Sequence, residues 1–126
     1  MNHKAFFNWG RNKTINPKEI TPKKMSDLKK AINKKSFITS GNQRSFGDVA
    51  LNDNLIISMR NFNKIIHFNE KKGIIELQSG ILLKEILPMI VKKNWTFPVT
   101  PGTKYVSIGG MVANNIHGKN TKKNQI

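Results

Sequence analysis

Apolar residues recur along this chain at two spacings, and the change between them divides it into elements. Between Met25 and Ile32, the apolar Met25, Leu28, Ala31 and Ile32 fall on one stripe, the signature of an amphipathic helix. Thr21-Pro22 ahead of it reads as an N-cap followed by proline at the first helical position. Past Lys35 the period shortens. Phe37–Thr39, Leu55–Met59, Ile65–Phe68 and Ile74–Leu77 are short runs rich in β-branched and aromatic residues, which predict strands. Asn69–Gly73 has hairpin-turn length and ends in glycine, so the last two strands are expected as antiparallel neighbours. Ile81–Lys93 reads as a helix with Leu82, Ile86, Leu87 and Ile90 on one face, and Pro88 inside it predicts a kink or a split. A short strand at Phe97-Pro98-Val99 leads into Pro101-Gly102-Thr103. Residues 1–20 are mixed and polar and read as an N-terminal arm. The residues from Asn115 onward turn polar again, without a capping element. Helices and strands in mixed order predict an α+β domain, a small mixed sheet flanked by helices.

Composition adds limits more than function. A chain of 126 residues is one domain or part of one. The formal net charge is +15, from 22 basic against 7 acidic residues. Such a charge suits a polyanionic partner, nucleic acid or an anionic membrane surface. The lysines, however, are scattered in pairs (Lys23-Lys24, Lys29-Lys30, Lys34-Lys35, Lys71-Lys72, Lys92-Lys93, Lys122-Lys123) with no interleaved aromatics, the pattern of a solvated surface. A nucleic-acid-binding module is therefore the disfavoured alternative. Cysteine is absent, which excludes disulfides, thiolate metal sites and cysteine nucleophiles. No spacing of histidines or carboxylates suggests a metal site. No segment approaches the apolar length of a membrane span or a signal peptide, so a cytoplasmic protein is expected.

Three segments could carry chemistry. The first, Ser40-Gly41-Asn42-Gln43-Arg44-Ser45-Phe46-Gly47-Asp48, directly follows a predicted strand. Its two glycines allow positive φ and close backbone approach; successive amides in such a turn form a concave anion site, to which Asn42, Arg44 and Ser45 add donors. The spacing is neither GxGxxG nor the Walker A pattern. A plain connecting loop, with Arg44 paired to Asp48, is the competing reading. The second is Pro101-Gly102-Thr103 with Val106, Gly109, Gly110 and Ala113. A Gly-Gly pair ahead of small apolar residues lets a helix start close to a flat partner, its amide end facing outward. Close helix packing alone is the alternative there. The third is Asn115-Ile116-His117-Gly118-Lys119-Asn120, where a lone histidine is more often structural or exposed than catalytic, although Gly118 lets the backbone bend around something. His67 and His3 have no such context.

Together these segments resemble the flavin domain of the vanillyl-alcohol oxidase and p-cresol methylhydroxylase (PCMH-type) superfamily, in its decaprenylphosphoryl-ribose 2-oxidase-like branch. That branch carries G-N-x-R-S-Y-G-D, P-G-T-x-x-V-x-x-G-G and H-G-K-N in this order. Here they read GNQRSFGD, PGTKYVSIGG and HGKN, and Trp9-Gly10-Arg11 and Gln78-Ser79-Gly80 also fit. The resemblance implies FAD in extended form, its diphosphate held by loops 41–48 and 101–110, with His117 and Lys119 near the reactive flavin face as the catalytic candidates. It implies oxidation of an alcohol carbon, often of a sugar, by hydride transfer to the flavin, with the cofactor supplying the chemistry and the protein orienting it.

The chain also departs from the pattern. Members that bind flavin covalently through the first loop carry His where Arg44 stands, so dissociable FAD is expected. Phe46 replaces the usual Tyr, and Thr121 onward replaces the usual HGKNHH continuation and Gly-rich stretch. Because family members run to several hundred residues, the resemblance covers only the first FAD subdomain over 21–126, leaving out the second FAD subdomain and the substrate domain. Half of a split enzyme completed by a C-terminal partner chain, a truncated product and a non-functional fragment are the readings that follow.

Overall fold

In the computed structural model, residues 5–120 are described, and they divide into two compact units, Met1–Phe62 and Asn63–Ile126. In the first unit, β1 (Phe6–Phe7) and β2 (Thr14–Ile15) form an antiparallel hairpin with Phe6 opposite Ile15. Next come β3 (Lys18–Ile20), α1 (Met25–Ile32), β4 (Ile38–Ser40) and β5 (Leu55–Ser58). The three strands make a parallel sheet in the order β3-β5-β4. All four residues of β5 are buried, as a central parallel strand requires, and its unbroken apolar start Leu55-Ile56-Ile57 is the sequence mark of that position.

Alternation along β5 divides the packing between two faces. Ile56 joins Phe6 and Ile15, with Ile38 and Leu51 against them. Leu55 and Ile57 join Ala31 of α1, with Ile20, Leu28, Phe37 and Met59 around them. The stretch expected as an arm thus supplies three strands and the buried Phe6 and Ile15. The start of α1 corrects the expectation: its N-cap is Lys24, not Thr21. Asp27 decides this, its Oδ2 accepting from the main-chain N–H of Lys23 (3.4 Å) and of Lys24 (3.3 Å). A carboxylate at the third helical position reaching back to the cap outweighs the Thr-Pro signal.

The second unit opens with the expected antiparallel hairpin, β6 (Ile65–Asn69) and β7 (Ile74–Leu77), with a bulge between Ile65 and His67. Then α2 (Leu83–Lys92) lays Ile86 and Ile90 into a core with Ile81, Phe68, Ile75, Leu77 and Phe97. It begins two residues later than the pattern suggests, because Leu82 bridges to Ser107 and Glu85 Oε2 accepts from Leu82 N at 2.7 Å. Nor does Pro88 split it. Pro88 and Lys84, whose carbonyl loses its helical donor, both occupy exposed positions where water can substitute. The strand expected at Phe97–Val99 falls instead at β8 (Val99–Thr100), pairing antiparallel with β9 (Lys119–Asn120). Between them lies α3 (Ile108–Ala113). Residues 121–126, where the sequence departs from the branch, lie outside the described residues.

Candidate functional site

Loop 41–48 leaves the carboxyl end of β4, the edge of a parallel sheet where open α/β sheets place their ligands. The left-handed residues in it are Gln43 (φ 52°) and Gly47 (φ 63°), rather than the glycine pair the spacing suggests. The reason at Gln43 is a tether: its Oε1 accepts from the Phe7 N–H at 3.3 Å. A second tether runs from the Trp9 N–H to the Ser45 carbonyl at 3.0 Å, and the Phe46 ring meets Trp9 edge-on with centroids 5.3 Å apart. Asp48 accepts an ion pair from Lys13 at 3.2 Å. The β1–β2 turn bearing Trp9-Gly10-Arg11 thereby holds the loop from the side.

What these bonds use is carbonyls and side chains. Among the described residues, the main-chain N–H groups of Gly41, Gln43, Ser45, Phe46 and Gly47 have no hydrogen-bonded partner. Successive unpaired amides on a backbone entering left-handed conformations make an anion-binding concavity. Beneath the loop, Ser40 is buried and its Oγ also lacks a partner. The residues present therefore fit a phosphate-bearing ligand.

The second unit holds the other two segments. Segment 101–110 runs alongside 79–84: Leu83 N donates to Val106 O (3.0 Å), Lys84 N to Lys104 O (2.8 Å) and Ile108 N to Ile81 O (2.9 Å). The Gly-Gly pair lies in the first turn of α3, where its amides are bonded within the protein. Gly109 N donates to Ser79 O at 2.8 Å and Gly110 N to Ser107 Oγ at 3.3 Å, Ser107 being the N-cap. With Ile108 N also bonded, no amide of the first turn is left for a ligand. Gly109 is needed for contact instead, since a Cβ there would stand 2.8 Å from Ser79 Cβ and 3.0 Å from its carbonyl oxygen. On the loop itself, the amides of Gly102, Thr103, Lys104 and Val106 have no partner among the described residues.

β9 brings the third segment back beside this loop. Lys119 pairs with Thr100, and Gly118 lies so close to the Thr100 carbonyl that a Cβ would collide with its oxygen. His117 and Lys119 are exposed there, and Ala113 ends α3, also exposed. HGK and PGT are thus neighbours in space. Among the described residues no group of three or more His, Asp or Glu side chains could hold a metal ion, and no helix is long and apolar enough to cross a membrane.

Sequence reasoning missed the tethers Gln43–Phe7 and Trp9–Ser45, the Lys13–Asp48 pair and the Ser107 cap. Only the last left a local sign, a serine just before the helix.

Comparison with known proteins gives this geometry a context. The family model described as the FAD binding domain matches residues 19–126. The chain is 32% identical over 87 residues to the decaprenylphosphoryl-β-D-ribose oxidase of Mycolicibacterium smegmatis, covering 68% of this chain and 19% of that protein. It is 31% identical over 77 residues to the D-lactate dehydrogenase of Anaerostipes hadrus, covering 61% of this chain and 16% of that protein. Against the L-gulonolactone oxidase of Mus musculus the identity is 23% over 124 residues, covering 93% of this chain and 28% of that protein. The chain thus spans between 16% and 28% of the length of these relatives.

Proposed function

Since this chain belongs to the FAD-binding domain family, in its PCMH-type form, we propose that it holds FAD non-covalently as the cofactor-binding portion of an oxidoreductase. The reading takes loop 41–48 and the loop amides of 101–106 as contacts to the FAD diphosphate, and His117 and Lys119 as the groups beside the reactive ring. The observation that carries it is the group of main-chain amides of Gly41, Gln43, Ser45, Phe46 and Gly47 without a partner among the described residues, at the carboxyl edge of the parallel sheet. Oriented amides in a fixed loop favour a bound anion with little reorganisation.

Bound flavin would supply hydride-accepting chemistry. The chain's own share is binding and orientation. Gln43 and the Trp9 turn fix the loop. His117 and Lys119 flank Gly118, which approaches the Thr100 carbonyl, and their exposed imidazole and ammonium are taken to donate to a ligand. Arg44 cannot form the bond that tethers flavin covalently in members with His at that position, which supports dissociable FAD. For the substrate we take an alcohol carbon of a sugar or polyol, supported by the ribose-oxidase relative; the hydroxy-acid names among the relatives mark the competing class. In this reading a C-terminal partner chain or further sequence completes the flavin site, and the chain alone binds FAD weakly and does not turn over.

Titration of the purified chain with FAD tests this, followed by flavin fluorescence and by thermal shift. Saturable binding that is reversed on dialysis is expected. Absence of binding, both alone and with a co-expressed C-terminal partner, would sink the assignment.

A further inference from the structure

In the first unit, two apolar rows end in two serines side by side. On β4 the residues facing the Phe6, Ile15 and Ile56 cluster are Ile38 and then, two residues on, Ser40. On β5 they are Ile56 and Ser58, and the register sets Ile38 beside Ile56 and Ser40 beside Ser58. Both serines are buried, Ser40 to 2% exposure. The Ser40 carbonyl is used, accepting from Met59 N at 2.9 Å. Its hydroxyl is not, and it is the buried side-chain atom without a partner among the described residues.

A buried hydroxyl with no partner costs free energy that alanine at the same place would avoid. Here the position also continues an isoleucine row, so packing gives no reason for the oxygen. Its location does: Ser40 is the last residue before Gly41, where the unpaired amides begin, at the carboxyl edge of the parallel sheet. Resting on the FAD reading above, we infer that the Ser40 hydroxyl is a cofactor-binding donor, without a protein partner until the phosphate-bearing part of FAD seats against loop 41–47. The loop motif that resembles the flavin family begins at Gly41 and does not include it.

Ser40→Ala separates this role from a structural one, read on the full chain by urea denaturation without cofactor and by FAD titration through flavin fluorescence. The inference predicts opposite signs. The cofactor-free protein keeps or raises its urea midpoint, because an unpaired hydroxyl is gone. The Kd for FAD rises about tenfold, the scale of one lost hydrogen bond to a charged acceptor. A lowered midpoint, with or without weaker binding, overturns it, since the hydroxyl would then already be bonded in the free protein, to internal water for instance. An unchanged Kd overturns it too while leaving the FAD reading intact. Failure of the unsubstituted chain to bind FAD removes that reading itself.

Discussion

Gly109 and Gly118 both carry glycine because another backbone stands where a side chain would go. At Gly109 the obstacle is Ser79, with Cβ and carbonyl oxygen at 2.8 and 3.0 Å from an added Cβ, and neither belongs to a flexible chain end. Alanine is the better helix former, so helix propensity alone predicts that Gly109→Ala stabilises α3. The contact predicts the reverse, because relieving it moves α3 off the 79–82 segment and loosens the Gly109–Ser79 and Ile108–Ile81 hydrogen bonds together. We expect Gly109→Ala to cost about 1–3 kcal/mol in urea denaturation, the scale of overpacking in a fixed backbone. A stabilised variant would mean that α3 does not press on Ser79. At Gly109 the contact favours the close-packing alternative that the sequence left open.

The elements differ in how far the sequence disclosed them. β5, β6 and β7 were legible because each is a compact β-branched run bounded by polar residues, and the hairpin turn between β6 and β7 has a glycine where it closes. The first turn of α1 was not, because Thr21-Pro22 is a statistical start signal whereas Asp27 makes the actual hydrogen bonds. The loop motif at 41–48 was visible, but not what holds it: Gln43 and Phe7 are 36 residues apart, and no local rule anticipates that bond. β9 was missed because two polar residues form a strand only through their partner Val99–Thr100. Helix α2 yields a test at this scale. Pro88 sits in its interior, removes one main-chain bond, and is exposed, so it contributes little packing. Pro88→Ala should therefore raise stability, by up to about 3 kcal/mol if the restored bond and helix propensity are realised in full. A loss of stability in thermal or urea unfolding would show that the ring packs against Leu87 or Met89 more than its exposure indicates.

For the whole molecule, the FAD reading is tested on each unit by itself. Each unit has its own core, and each offers unpaired loop amides: Gly41, Gln43, Ser45, Phe46 and Gly47 in the first, Gly102, Thr103, Lys104 and Val106 in the second. An unpaired exposed amide exchanges its hydrogen readily, and a hydrogen bond to a bound phosphate slows it. A loop that meets the FAD diphosphate shows FAD-dependent protection in hydrogen exchange followed by mass spectrometry, at 41–47 in the first unit or at 102–106 in the second. A flavin held by one unit alone protects one segment and leaves the other unchanged. Because the amide end of α3 is already bonded to Ser79, Ile81 and Ser107, Ile108–Gly110 should be protected before FAD is added and change little afterwards. The +15 charge supplies a control within the same experiment, since a diffuse polyanion attraction would slow exchange broadly over lysine-rich surfaces and vanish at high salt. Protection confined to the two loops and surviving added salt is what a shaped site predicts, and a uniform, salt-labile pattern is what a merely basic surface predicts.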